Sequence, residues 1–180
     1  IDSATLMNKG FEVIESRWLF GVPWERIQVV VHPQSIVHSM VEFADGSVKA
    51  QLGPPDMRLP IQYALLYPER APNGTLPRFD PLAHPSLTFE PLDAQRYPCF
   101  LTAVEAGKQG RTYPAVLSAA DEEAVHLFLA GRIGFSDIHR VVRSVLDRHQ
   151  PWADATLEAV LAADAWARRE VAQLVGAARP

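Results

Sequence analysis

The sequence of 180 residues has little sulfur: one cysteine, Cys99, and three methionines. A single thiol excludes an internal disulfide framework and fits a reducing compartment, so a cytoplasmic location is expected. Long hydrophobic runs are missing too, and none approaches the ~20 residues of a membrane span. There is no basic excess. The 17 basic and 21 acidic residues give a net charge of -4, which argues against a nonspecific nucleic-acid binder. A start methionine is absent, and Ile1-Asp2-Ser3 is not a basic segment leading into an apolar run. No signal peptide is therefore expected, and the chain reads as a piece of a longer one. The G-x-G-x-x-G, P-loop and G-x-S-x-G motifs are absent as well. What the chain does have is apolar material, 48% of its residues. That is enough to offset the entropy of ordering one ordinary domain or two small ones.

Periodicity outlines the elements. Met7, Phe11, Ile14 and Trp18 form an apolar stripe, predicting a helix over 5–20 with Ser3 and Thr5 at its N-cap. Gly21 and Pro23 end it. The β-branched run 27–31 predicts a buried strand. Ser39 to Ala44 and Ser47 to Leu52 flank Asp45-Gly46, a two-residue type I′ turn sequence. That turn pairs Phe43 with Val48 and Val41 with Ala50, all apolar, while Glu42 meets Lys49 on the other face. Asp56 is placed to cap a helix ending near Leu66. Residues 67–91 hold six of the 15 prolines and read as an ordered linker. Four helices then follow, over about 97–108, 114–129, from a Ser136 cap, and about 153–175. Their short connections read as a bundle, and the four tryptophans are expected in cores.

Three stretches carry candidate chemistry. Asn8 and Glu12 are four apart and Lys9 and Glu12 three apart, so all three project from one side of the first helix. With Ser3 just ahead, they supply an amide, an ammonium, a carboxylate and a hydroxyl. That set suits an oxygen-rich anion at a helix N-terminus, and Glu12 suits a hard divalent cation. The alternative is a solvated face whose Lys9–Glu12 pair contributes ~0.2–0.5 kcal/mol. His32 and His38 are six apart with no third ligand nearby, so they form no zinc motif. They are either structural or near an active site. Gly53 and Met57 lie where a strand gives way to a helix. There a glycine admits a ligand and a methionine can lie against a flat ring, or the segment is simply a turn and a cap.

Several strings, in order, closely resemble signatures of the 1-deoxy-D-xylulose 5-phosphate reductoisomerase family. They are Ile1-Asp2-Ser3-Ala4-Thr5-Leu6-Met7-Asn8-Lys9-Gly10-Phe11-Glu12, Glu15-Ser16-Arg17-Trp18-Leu19-Phe20, and His32-Pro33-Gln34-Ser35-Ile36-Val37-His38-Ser39-Met40. Asp45-Gly46-Ser47-Val48, Gln51-Leu52-Gly53-Pro54-Pro55-Asp56-Met57-Arg58 and Arg96-Tyr97-Pro98-Cys99 continue the match. The resemblance implies an enzyme of the non-mevalonate isoprenoid pathway. It rearranges 1-deoxy-D-xylulose 5-phosphate and reduces the product with NADPH to 2-C-methyl-D-erythritol 4-phosphate. It implies dependence on Mg²⁺, Mn²⁺ or Co²⁺, inhibition by fosmidomycin, and a homodimer. By the same resemblance Ser3, Asn8, Lys9 and Glu12 bind substrate, and Glu12 is one of three acidic metal ligands. His38 matches a catalytic-site position and Met57 a position near the nicotinamide. The family's NADPH-binding N-terminal half and its two other acidic ligands have no counterpart here. The asparagines usual in the family are replaced by Ser118 and Asp121.

The expected fold is α+β. Residues 1–66 are the C-terminal part of an α/β catalytic domain with a β-hairpin, 67–92 a linker, and 93–180 a four-helix bundle. The expected function is the reductoisomerase reaction, with these residues inactive by themselves. The competing readings are a non-catalytic interaction or dimerisation module and a different metal-dependent phosphosugar enzyme. No nucleic-acid or membrane partner is expected.

Overall fold

Proline, glycine and short polar side chains set most element boundaries. In this computed structural model, which describes residues 1–177, the order is α1 (Asp2–Thr5), α2 (Met7–Phe20), a 3-10 turn (Trp24–Arg26), β1 (Val30–Val31), β2 (Val37–Glu42), β3 (Val48–Leu52), α3 (Arg58–Leu66), β4 (Glu90–Pro91), α4 (Pro98–Gln109), α5 (Tyr113–Leu129), α6 (Phe135–Arg148) and α7 (Leu157–Ala177). Helix dominates, and the strands form two small two-stranded sheets. Pro98 and Pro114 sit in the first turns of α4 and α5, where a missing N–H costs nothing. Asp137 accepts from the Gly134 N–H at 2.8 Å, so α6 begins one residue before the expected Ser136 cap. Thr156 caps α7 through the Ala159 N–H at 3.2 Å, and the helix starts later than expected.

The chain forms two compact units, Ile1–Gln28 with Asp93 onward, and Val29–Leu92. This differs from the expected 1–66, 67–92 and 93–180. The opening helix belongs with the C-terminal helices because Met7 and Ile14 are buried in one core with Ala103 and Ala106 of α4. Gly10 and Gly107 let α2 and α4 approach closely. A Cβ on Gly107 would lie 2.6 Å from Ile14 Cγ1. The first unit therefore packs five helices longer than one turn, not four. Met7, Leu117, Ile138, Val116, Val142, Val145 and Val171 are its large, fully buried apolar side chains. Burying each such side chain contributes ~1.5–3 kcal/mol.

The second unit has a thin core, with Ile36 as its buried apolar side chain among the described residues. Its predicted 27–31 strand shrinks to Val30–Val31, and Val30 is exposed. Residues 67–92 are more than a linker, because β4 closes an antiparallel pair with β1 (Val30↔Pro91, Val31↔Glu90). The His32 ring donates from Nδ1 to the Thr88 carbonyl at 2.7 Å and stacks on Phe89. That answers the choice posed for His32 with a structural role.

The hairpin keeps its strands but not its predicted register. Phe43 N–H donates to Ser47 O and Gly46 N–H to Phe43 O, each at 2.9 Å. Gly46 takes φ +83°, which glycine adopts at little cost. This is a three-residue loop with a glycine bulge instead of a two-residue turn. The pairs become Glu42↔Val48, Val41↔Lys49 and Met40↔Ala50, so each face mixes apolar and polar groups. Met40, Val41, Phe43 and Val48 are all exposed. The tryptophans also depart from expectation. Trp18 and Trp152 are exposed, and only Trp24 and Trp166 pack against the core.

Candidate active site

The residues singled out on the first helix sit around a break in it. Leu6 has φ 56°, so the expected continuous helix is two pieces, α1 and α2. Thr5 stabilises the break. Its Oγ1 accepts from the Met7 N–H at 3.3 Å and donates to the Asp2 carbonyl at 3.3 Å. Ser3, expected as a cap, is exposed on α1 and caps nothing. Lys9 Nζ lies 2.6 Å from Glu12 Oε2, with both side chains partly exposed. An ion pair in water is worth at most about 1 kcal/mol, so it yields readily to a ligand. Asn8 Oδ1 is buried and has no hydrogen-bond partner. An acceptor left in that state costs ~1–3 kcal/mol, which a ligand hydroxyl would recover.

α2 thus presents an orphan acceptor, an ammonium and a carboxylate within one helical turn, with the Ser3 hydroxyl on the preceding α1. That donor set fits a hydroxylated anion. It fits a divalent metal only in part. Glu12 supplies a carboxylate, but no group of three or more His, Cys, Asp or Glu side chains converges among the described residues. Mg²⁺ is held by several oxygen ligands at once.

The other two candidates lie in the second unit. His38 is the extra residue of a bulge in β2, where Val37 pairs with Leu52 and Ser39 with Gln51. Bulges re-aim side chains, and here Nε2 donates to the buried Gly53 carbonyl at 2.9 Å. In the neutral ring that leaves Nδ1 as an acceptor. Met57 is 71% exposed and stands between Gly53 and α3. Its neighbour Asp56 accepts from the Arg58 amide at 3.0 Å and guanidinium at 2.5 Å. These hydrogen bonds bring the Asp56 carboxyl down to about 2. The structure brings Lys9 and Glu12 into contact and keeps Asn8 beside them. His38 and Met57 belong to a separate unit.

Asp121, marked in the sequence as a departure from the family's usual asparagine, is a buried polar group: it lies on α5 and is 3% exposed, with an Oδ1 that has no hydrogen-bond partner. Its burial follows from its place as an acidic residue amid an otherwise apolar helix face.

Residues 52–170 match the family profile of the DXP reductoisomerase C-terminal domain. The chain belongs to the 1-deoxy-D-xylulose 5-phosphate reductoisomerase family. Residues 1–20 match a second C-terminal-domain profile of the same family. The reductoisomerase of Pelotomaculum thermopropionicum is 59% identical over 168 residues, covering 93% of this chain and 43% of the relative. That of Heliobacterium modesticaldum is 55% identical over 179 residues, 99% and 46% of the two chains. The chain spans less than half the length of these reductoisomerases. The solved Zymomonas mobilis reductoisomerase in complex with NADPH superposes with a TM-score of 0.89 at 45% identity, over 97% of this chain and 46% of that one. A DOX-P reductoisomerase in complex with NADPH, fosmidomycin and magnesium gives 0.89 at 40%, over 97% and 45%.

Proposed function

We propose that this protein converts 1-deoxy-D-xylulose 5-phosphate to 2-C-methyl-D-erythritol 4-phosphate, as its reductoisomerase relatives are named for doing. The observation that carries the proposal is the α2 turn: the unpartnered, buried Asn8 Oδ1 beside the Lys9–Glu12 pair. Asn8 accepts from a substrate hydroxyl, and Lys9 supplies a donor and a positive charge. Ser3 adds a hydroxyl, and Glu12 is the carboxylate of the set. Glu12 would supply one carboxylate oxygen to a divalent ion, Mg²⁺, Mn²⁺ or Co²⁺, whose chemistry there would be that of a Lewis acid. Met57 would lie against the nicotinamide of NADPH, the cofactor that would provide the reducing hydride. In the second unit, His38 is held by Gly53 in one tautomer, which leaves Nδ1 as a hydrogen-bond acceptor and makes this ring the candidate catalytic histidine. The reaction's remaining metal donors and its nucleotide-binding surface lie outside residues 1–177, so this stretch does not turn over substrate unaided. Calorimetry of the 180-residue chain with NADPH is expected to show no submicromolar binding.

The same reading makes the protein a cytoplasmic homodimer. Support comes from the hairpin, whose two faces both leave apolar side chains in solvent. No helix of the described residues is long and apolar enough to cross a membrane. The decisive test is Glu12→Gln in the intact protein. It keeps the side chain's size but removes the charge. Turnover is expected to fall by more than the ~10–100-fold that outer-shell partners of a metal site typically cost. Near-normal turnover in Glu12→Gln would sink the assignment.

A further inference from the structure

Leu6 lies in the left-handed region, at φ 56° and ψ 20°, between two helices of one compact unit. A bulky side chain is strained there, so the conformation persists only where its surroundings impose it. Both neighbours are anchored, with Thr5 7% exposed and Met7 fully buried. The Thr5 Oγ1 accepts from the buried Met7 N–H at 3.3 Å and donates to the Asp2 carbonyl at 3.3 Å, so one hydroxyl joins the two sides of the break. The Leu6 carbonyl accepts from the Gly10 N–H at 3.1 Å, which fixes the first turn of α2. A continuous helix would turn by about 100° per residue, placing Ser3 about 140° around the axis from Asn8 and about 180° from Glu12. In that geometry Ser3 could not meet a ligand held by the Asn8–Glu12 face. The break at Leu6 removes the obstacle.

We propose that Thr5 is a positioning residue for substrate: its hydroxyl fixes the Leu6 break, so that Ser3 on α1 and the Asn8–Lys9–Glu12 face of α2 take one phosphosugar between them. The role rests on the reductoisomerase reading of that face. Thr5 is buried and acts through the backbone on either side of it. Strained backbone of this kind marks places where a binding geometry is preformed, and preforming it spares the ligand the cost of ordering α1. Without the hydroxyl, the Met7 amide is buried with no acceptor and Leu6 is free to relax towards the ordinary helical region. Ser3 then turns away from the α2 face, and the loss falls on substrate binding.

The test is steady-state kinetics of Thr5→Val in the intact protein, since valine keeps the shape and loses the hydroxyl. The KM for 1-deoxy-D-xylulose 5-phosphate is expected to rise ~10-fold, with kcat within ~3-fold of the parent. The KM for NADPH should not move. Thr5→Ser keeps the hydroxyl and should restore the substrate KM. Lost stability alone would lower the active fraction, and with it the apparent kcat, leaving both KM values in place. Leu6→Ile is the second variant. It keeps Thr5 and the side-chain volume, but a β-branched residue resists positive φ, so the same rise in substrate KM is expected. An unchanged substrate KM in Thr5→Val, or a rise that Thr5→Ser shares, would overturn the proposal. If Thr5→Val fails to fold, Leu6→Ile decides, and an unchanged substrate KM there overturns it. The two readings fail differently. Near-normal turnover in Glu12→Gln removes the reductoisomerase reading, whereas lost turnover in Glu12→Gln with an unchanged KM in Thr5→Val removes the positioning role alone.

Discussion

Gly10→Ala probes the contact that joins the site helix to the C-terminal helices. The added Cβ falls on Ala103 Cβ and 3.4 Å from the Phe100 carbonyl oxygen. Neither obstacle is the flexible end of a long side chain, so α2 and α4 must move apart. Overpacking a well-filled core costs ~1–3 kcal/mol, and a rigid neighbour puts this case in the upper half of that range. Alanine's better helix propensity recovers up to ~1 kcal/mol. The expected net loss is ~1–2 kcal/mol. With an m-value of ~2 kcal/mol/M, the urea midpoint drops by roughly 0.5–1 M. Ala103→Gly removes the obstructing methyl. By itself it costs ~2 kcal/mol from lost propensity and one lost buried methyl. Combined with Gly10→Ala it should fall short of the summed losses by at least ~1 kcal/mol, the coupling expected of residues in contact. A Gly10→Ala protein as stable as the parent, or strict additivity in the double variant, would refute the close-approach argument.

Thr112→Val tests a buried hydrogen bond, as Thr112 is fully buried and its Oγ1 lies 2.8 Å from His149 Nε2. Leaving that ring nitrogen unpaired among Tyr113, Trp152 and Trp166 should cost ~1–3 kcal/mol by thermal unfolding, with Thr112→Ser retaining most of the stability. The same environment predicts an acid limb. Burial pushes His149 down, and burial together with Arg143 pushes His139 down. The unfolded chain takes these protons near pH 6.5 while the folded chain resists, so stability is lost as pH falls below ~6.5. Measured in Asp121→Asn, which removes the opposing titration of a carboxyl that burial pushes up to about 7, the urea midpoint should decline from pH 6.5 to 5, and a flat profile would count against it. Arg168 holds Asp164, Glu122 and Glu123 at 2.6–2.9 Å between α5 and α7. Arg168→Ala should cost about 1 kcal/mol at low salt and less in ~1 M salt, where exposed charges are screened.

Helices were legible wherever an apolar stripe persisted for several turns. α4 to α7 fall within a few residues of their expected spans, because such stripes must be buried and only a 3.6-residue period buries them. Short-range choices were less visible. Asp45-Gly46 serves a two-residue and a three-residue loop equally well. The choice moves register by one residue, and alternation fixes register only when one face is buried. In this hairpin neither face is. The Leu6 break was hidden for a related reason. A leucine at positive φ is held there by Thr5 hydrogen bonds that no periodicity records.

The unit boundaries show what composition cannot carry. Proline density marked 67–92 as a linker, yet Glu90–Pro91 pair with β1 through a contact some sixty residues away in sequence. The opening helix looked continuous with the hairpin because the two are neighbours in the chain. Its allegiance was written instead in Gly10 and Gly107, whose missing side chains have meaning only once the partner helix is known. The same holds for the candidate site. Asn8, Lys9 and Glu12 were visible because helical spacing alone puts them on one side. What turns that face from a solvated ion pair into a binding surface is the burial of Asn8 Oδ1 without a partner. That burial depends on how α2 docks, so the chemistry was readable from local spacing while the reason for it was tertiary.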